Sequence, residues 1–260
     1  MRASAIMAKL ARIPVTLAYA ASLVAVTGVL FALGPQVQDR VLLAASTNLH
    51  NLRHGHFATL VSSAFVTDAG PMYAWLPGLM CLLTLAELIW RSSRMLLALA
   101  VGHVGATALV AVGLVFAIHH GWAPAEVSRD VDVGVSYGAA GVLGALTAAI
   151  PRSWRPVWIG WWLGVAVSVA AGVDGMAAGF TDIGHIVALL LGMVLSARLG
   201  RPDGWTTTRF VLLFVASVFG LLLLASSELL IVAAPAAGAV GGLAGYAAGN
   251  AFGGRQADRL

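Results

Sequence analysis

The sequence predicts an all-α fold, a polytopic bundle of membrane-spanning helices, and three observations lead there. Of its 260 residues, 60% are hydrophobic and 10% charged. The apolar runs repeatedly reach the ~20 residues that cross ~30 Å of hydrocarbon. The basic residues gather in alternate connections, as they do when short loops rich in Arg and Lys stay on the cytoplasmic side. The longest interval between runs, 35–70, is too short for an ordinary independent domain, so a single membrane domain is expected.

Hydropathy places spans near 13–34, 72–90, 95–118, 133–150, 156–173, 182–198, 209–230 and 236–254. Arg2, Lys9 and Arg12 precede the first span, whose apolar stretch is about twice as long as a cleavable signal region. It therefore reads as an uncleaved helix. A cytoplasmic N-terminus puts Arg2, Lys9, Arg12, Arg91, Arg94, Arg152, Arg155, Arg198, Arg201, Arg209, Arg255 and Arg259 inside, and leaves Arg40, Arg53 and Arg129 outside. This bias also favours the eighth span, without which Arg255 and Arg259 would lie outside. Anchoring at the inner leaflet explains the net charge of +4, so no nucleic-acid partner is needed. The preference for Arg over Lys, with abundant Ala and Gly, points to a GC-rich bacterial genome and a plasma membrane. The expected organisation is a cytoplasmic tail 1–12, a core 13–200, additional helices 201–254 and a cytoplasmic tail 255–260.

Cys81 stands alone in the second span, which excludes an intramolecular disulfide. No cofactor or metal is expected. His50, His54, His56, His119 and His120 sit in loops without a cysteine or paired carboxylate beside them, and Gly55 interrupts any helical histidine face. His103 lies near mid-membrane, where a hydrogen-bonded packing role is expected. Gly241, Gly245, Gly249 and Gly253 align along one helix face. Such a ridge supports either a homo-oligomer or packing on the preceding helix, and the short connection from Val232 to Pro235 favours the second.

Two residues carry candidate chemistry. Ser136 stands in Gly134-Val135-Ser136-Tyr137-Gly138 at the outer mouth of the fourth span, and His185 in Asp182-Ile183-Gly184-His185 at the outer mouth of the sixth. By helix rise, Ser136 is roughly 24 Å above Arg152 and His185 roughly 20 Å above Arg198, so a small tilt levels them. Small residues line both faces: Ala140, Gly144 and Ala148 below the serine, Ala188, Gly192 and Ser196 below the histidine. Two such ridges permit close backbones and bring a hydroxyl within reach of an imidazole. Packing ridges with one polar residue at each outer end fit the same spacing. Gly-x-Ser-x-Gly also marks the nucleophile elbow of soluble hydrolases, but that motif needs a preceding strand and a sheet beneath.

With these residues in place, the chain resembles the rhomboid family of intramembrane serine proteases. That family has its serine in Gly-x-Ser-Gly at the start of the fourth core helix, with small residues five and eight positions later; Gly141 and Gly144 match. Its histidine opens the sixth helix, with small residues three and seven positions on; Ala188 and Gly192 match. The stretch from Gly55 to Phe65 is similar to a segment of the family's long first outer loop, and Leu85-Ala86-Glu87 to the acidic spot late in its second helix. The resemblance covers six of the eight spans and implies a rhomboid-like six-helix core with one or two extra C-terminal helices. It implies acyl transfer by Ser136 and His185 on transmembrane protein substrates, with backbone donors around Gly134 and Tyr137 for the oxyanion.

Asp182 could orient the imidazole or simply cap its helix, and Asp132 invites the same capping explanation. The glycine-rich stretch from Ala170 to Asp182, with Gly175 and Gly179, suits an outer flap. The fifth helix with Trp161 and Trp162 would be the substrate gate, although those tryptophans also suit an inner interfacial belt beside Arg152 and Arg155. Where the family carries a His and an Asn as oxyanion donors, this chain reads from Met72 to Pro77 without either. Tyr137 follows the serine where the family prefers Gly. A catalytically inactive member that binds transmembrane clients is therefore the alternative reading. A transporter is more distant, because Glu87 is the one acidic residue well inside a span.

Overall fold

Proline opens the first two helices, at positions where a missing N–H costs nothing. Helix α1 is Pro14–Leu33 and α2 is Pro35–Ala45, separated by Gly34 at a positive φ of 85°. The computed structural model describes residues 8, 10–68, 70–172, 178–202, 204–225 and 227–257, with side chains to 251. Arg2, Lys9, Gly175 and Arg259 lie outside the described residues, as do the side chains of Arg255 and its neighbours. The first loop continues through the short helices α3, Leu49–Arg53, and α4, Thr59–Ser62, the latter ending in a 3₁₀ turn, Ser63–Phe65.

The second and third spans form one helical run, α5, Met72–Ala100, which continues through a π-helical turn, Val101–Gly105, into α6, Ala106–His119. The run reverses at Arg91, whose φ of 66° and ψ of 172° are not helical. Leu83, Leu99 and His103 consequently line one cavity. Trp90 Nε1 donates to Gly200 O at 2.6 Å and Arg209 Nη2 to Leu88 O at 3.3 Å, tying this reversal to the later helices. At the same end Glu87, 2% exposed, reaches the start of α1. Its carboxylate accepts from Val15 N, Thr16 N, Thr16 Oγ1 and Ser92 Oγ at 3.1, 2.9, 2.7 and 2.6 Å. These bonds satisfy first-turn N–H groups that have no partner within a helix.

Helix α7, Ser136–Ala145, extends through a 3₁₀ turn to Ala148 and is buried from Tyr137 to Ile150. Ten residues fall short of the fourth span predicted at 133–150. The helix is enclosed by protein and need not itself cross lipid, a distinction hydropathy does not draw. Next come α8, Arg155–Ala170, α9, Phe180–Leu195, α10, Thr207–Leu224, and α11, Glu228–Ala257. The predicted connection from Val232 to Pro235 is helical. The turn falls earlier, where Ser227 Oγ accepts from Leu230 N at 3.3 Å, and Pro235 lies inside α11, as membrane helices tolerate.

Among the described residues, Pro14–Leu33, Met72–His119, Phe180–Arg198, Thr207–Leu224 and Glu228–Ala251 are long and apolar enough to cross a membrane. The second of these is two crossings folded at Arg91. The chain is thus an all-α, multi-pass membrane bundle.

The glycine ridge of α11 packs on α8, two helices before the neighbour expected from sequence order. A Cβ on Gly160, Gly164, Gly241 or Gly245 would collide with a backbone carbonyl of the facing helix, that of Gly241, Ala237, Gly160 or Pro156 respectively. Small-residue ridges allow such approach in lipid, where dispersion replaces the hydrophobic effect as the main attraction between helices.

Candidate active site

The loop before α7 is fastened to the first loop by backbone and hydroxyl groups. Thr47 N and Thr47 Oγ1 donate to Asp132 O at 2.9 and 3.1 Å, and Asp132 N donates to Ser46 Oγ at 2.9 Å. Gly134 N donates to Ser63 O at 2.8 Å, with Gly134 at a φ of 116° that side chains disfavour. Ser63 Oγ in turn is 3.1 Å from His103 Nε2. His103 therefore has the hydrogen-bonded packing role expected of it, and it braces the loop that sets the mouth of α7. Sequence reading missed Ser46, Thr47 and Ser63, which are ordinary loop residues until the fold brings distant segments together.

Ser136 is the first residue of α7 and is half-buried. No side chain caps this helix, and its first turn begins with Ala139 N donating to Val135 O at 2.8 Å. The N–H groups of Ser136, Tyr137 and Gly138 precede that bond. A helix start with free N–H groups carries partial positive charge suited to an anion, and the serine hydroxyl sits beside it.

His185 lies in the second turn of α9 and is 8% exposed. Helix α9 meets α7 backbone to backbone: a Cβ on Gly192 would lie 2.8 Å from Ala145 N, and one on Gly144 would lie 3.0 Å from Met193 N. Gly184 is required as well, because a Cβ there would enter the Tyr137 ring. That ring meets the imidazole edge-on, with centroids 5.3 Å apart and planes at 81°. Tyr137 thus holds the orientation of His185 through an aromatic contact of a favourable type.

Neither nitrogen of His185 has a hydrogen-bond partner, and the buried Tyr137 hydroxyl also has none. The structure brings the Ser136 helix and His185 together without a hydrogen bond between them. Asp132 and Thr181 lie around the Tyr137 hydroxyl without completing a bond. Leaving a buried polar group unpaired costs about 1–3 kcal/mol, so each such group calls for an explanation, and a catalytic or ligand-binding role is one.

The two aspartates differ from one another. Asp182 Oδ2 accepts from Gly179 N at 2.9 Å, so it caps α9. Asp132 does not cap α7, contrary to the expectation: Val135 occupies the cap position, and the backbone of Asp132 is engaged by Ser46 and Thr47. Burial pushes the Asp132 carboxyl up to about 6. The folded state therefore holds this proton more tightly than an unfolded chain, whose carboxyl titrates near 3.8. The contribution to stability is greatest below about pH 4 and is lost as pH rises through about 6. One pKa unit is about 1.4 kcal/mol, so the loss is at most about 3 kcal/mol. Asp132→Asn is expected to widen its thermal-stability advantage over the parent between pH 4 and pH 7; a difference independent of pH would contradict this environment.

Gly179 starts α9 in an extended conformation, φ −69° and ψ 166°. Trp162 is fully buried, and Trp161 packs on Gly238 of α11. On this face the fifth helix meets α11 at Gly238, while Trp161 and Trp162 also line the space between α8 and α10. Tyr73 is 83% exposed and Pro77 lies within α5, so neither supplies a side-chain oxyanion donor. Among the described residues, no three His, Cys, Asp or Glu side chains converge to hold a metal.

A buried short helix opening on a serine, packed through glycines against a helix carrying a histidine, gives this all-α membrane bundle its candidate site. The chain belongs to the rhomboid-like protein family: the family model described as "Rhomboid-like protein" matches residues 8–201. Comparison with curated proteins and with solved structures returns no significant match. Helices α10 and α11 lie beyond the matched residues.

Proposed function

We propose that this protein is an intramembrane serine protease with Ser136 as nucleophile and His185 as general base. The observation that carries the reading is the buried imidazole without a partner, on a helix in backbone contact with the one that Ser136 opens. Catalysis begins when the half-buried serine side chain rotates toward His185, since catalytic hydrogen bonds tighten on substrate binding. His185 takes the Oγ proton as Oγ bonds to the substrate carbonyl carbon, and the carbonyl electron pair moves to oxygen. The free N–H groups at the start of α7 hold that oxyanion. Imidazolium then protonates the leaving amine as the C–N bond breaks. Water, deprotonated by His185, releases the acyl group as a carboxylic acid and restores the serine. Tyr137 fixes the imidazole plane. Without side-chain donors at Tyr73 and Pro77 the enzyme is slow, since one oxyanion donor contributes about 10²–10³ in kcat.

The reading includes a core at 13–200 with appended helices at 201–254, a cytoplasmic N-terminus, a bacterial plasma membrane and transmembrane protein substrates. The arginine bias of the connections supports the orientation. The second reading, a non-catalytic binder of transmembrane clients, is favoured by the absent Ser136–His185 hydrogen bond. Single-span reporter proteins in proteoliposomes separate the two. Cleavage by the parent that stops in Ser136→Ala and His185→Ala supports the protease. Reporters retained intact, equally by the parent and Ser136→Ala, support the binder and overturn the protease.

A further inference from the structure

A cavity of about 570 Å³ opens between α8 and α10, at the bundle end opposite Ser136. Trp154, Trp158, Trp161, Trp162 and Trp205 line it, and Phe210 through Leu221 form its other wall. Eleven helical rises give that wall a length of about 16 Å, close to half of the ~30 Å hydrocarbon thickness. The slot therefore matches the depth of one leaflet.

Its lining is apolar apart from the indole N–H groups and the Ser217 hydroxyl, which donates to Leu213 O. The indole N–H groups of Trp158 and Trp162 are buried without partners, and Trp162 is fully enclosed. Arg152 adjoins the lining residue Pro151 in the chain, and Arg152 and Arg201 stand close enough to Arg155 for their charges to act on it. Arg155 is committed to the protein, donating to Ile150 O at 2.9 Å and Ala148 O at 2.6 Å. Arg152 and Arg201 are exposed, and among the described residues no carboxylate pairs with them. Arg198 and Arg209 add positive charge to the same end, where Arg209 Nη2 donates to Leu88 O.

We propose that this slot binds an anionic phospholipid, with one acyl chain between α8 and α10 and the phosphate at Arg152 and Arg201. Basic pockets between membrane helices recognise headgroups in this manner. The occupant is a lipid rather than a free phosphate, because most of the site is an apolar channel of leaflet depth. The inference is independent of whether Ser136 is reactive.

Five of the protein's eight tryptophans line the slot, so intrinsic fluorescence reports its occupancy. The full-length protein in detergent is titrated with phosphatidylglycerol or phosphatidylcholine carrying brominated acyl chains, which quench tryptophan on contact. Half-maximal quenching is expected at a roughly five- to tenfold lower mole fraction of the anionic lipid, given the attraction of basic residues for anionic headgroups. In Arg152→Gln/Arg201→Gln that preference is expected to fall to near unity while quenching by phosphatidylcholine persists. Glycerol phosphate, which has the anion without the chain, is expected not to compete. Equal quenching by the two lipids in the parent, a preference that survives the double substitution, or competition by glycerol phosphate would each overturn the proposal.

Discussion

Gly192→Val is expected to force α9 away from α7 and to destabilise the bundle by more than the ~1–3 kcal/mol usual for overpacking. The new side chain would meet the backbone of Gly141 and Ala145, and backbone cannot move aside as the end of a flexible side chain can. Both helices would have to separate, loosening the contact that brings His185 beside the serine helix. Reactivity of Ser136 should therefore fall along with the thermal transition. Gly113→Ala is the control: a Cβ there meets nothing within 4 Å, and the better helix former should be neutral or stabilising by up to about 1 kcal/mol. Thermal unfolding in detergent measures both. A Gly192→Val protein as stable as the Gly113→Ala protein would show that the two helices are not in backbone contact.

Glu87→Ala is expected to cost about 2–4 kcal/mol, since each buried donor left without an acceptor costs about 1–3 kcal/mol and part of that is recovered by relaxation. Its carboxylate accepts four hydrogen bonds, from two N–H groups of α1, the Thr16 hydroxyl and the Ser92 hydroxyl. Removing the acceptor leaves the first turn of α1 unsatisfied inside the protein and releases α1 from the reversal at Arg91. Glu87→Gln keeps one carbonyl acceptor and is expected to lose less. A Glu87→Ala transition within about 1 kcal/mol of the parent would mean that α1 is held by its apolar face alone.

Much of this architecture is legible in the sequence because lipid imposes simple rules. Length and hydropathy mark the long helices, and the mouths at Ser136 and His185 carry polar groups that membrane burial makes conspicuous. The small residues Gly144 and Gly192 lie on the predicted faces, and Glu87 is an acid where the family resemblance expects one. The misses have physical causes. Hydropathy does not distinguish α7, which is enclosed by protein, from a helix that meets lipid. Pro235 suggests a break, but a membrane helix continues through it, and the actual start at Ser227-Glu228 is a cap and an acidic first turn that a closer reading could have found. The ridge from Gly241 to Gly249 announces a close partner without naming it, and the partner is α8 because neighbours in space need not be neighbours in sequence. The Ser63–His103 pair spans 40 residues, and no local pattern signals it. The edge-on contact of Tyr137 with His185 was equally hidden, since the sequence identified Tyr137 only as a departure beside the serine.

The most direct test of the Ser136–His185 assignment is fluorophosphonate labelling of the purified protein in lipid, with the adduct located by peptide mass. The expected result is an adduct on Ser136 in the parent and none in Ser136→Ala or His185→Ala, each variant retaining its thermal transition. No adduct in the folded parent, or one that persists in Ser136→Ala, would contradict an activated serine at this site.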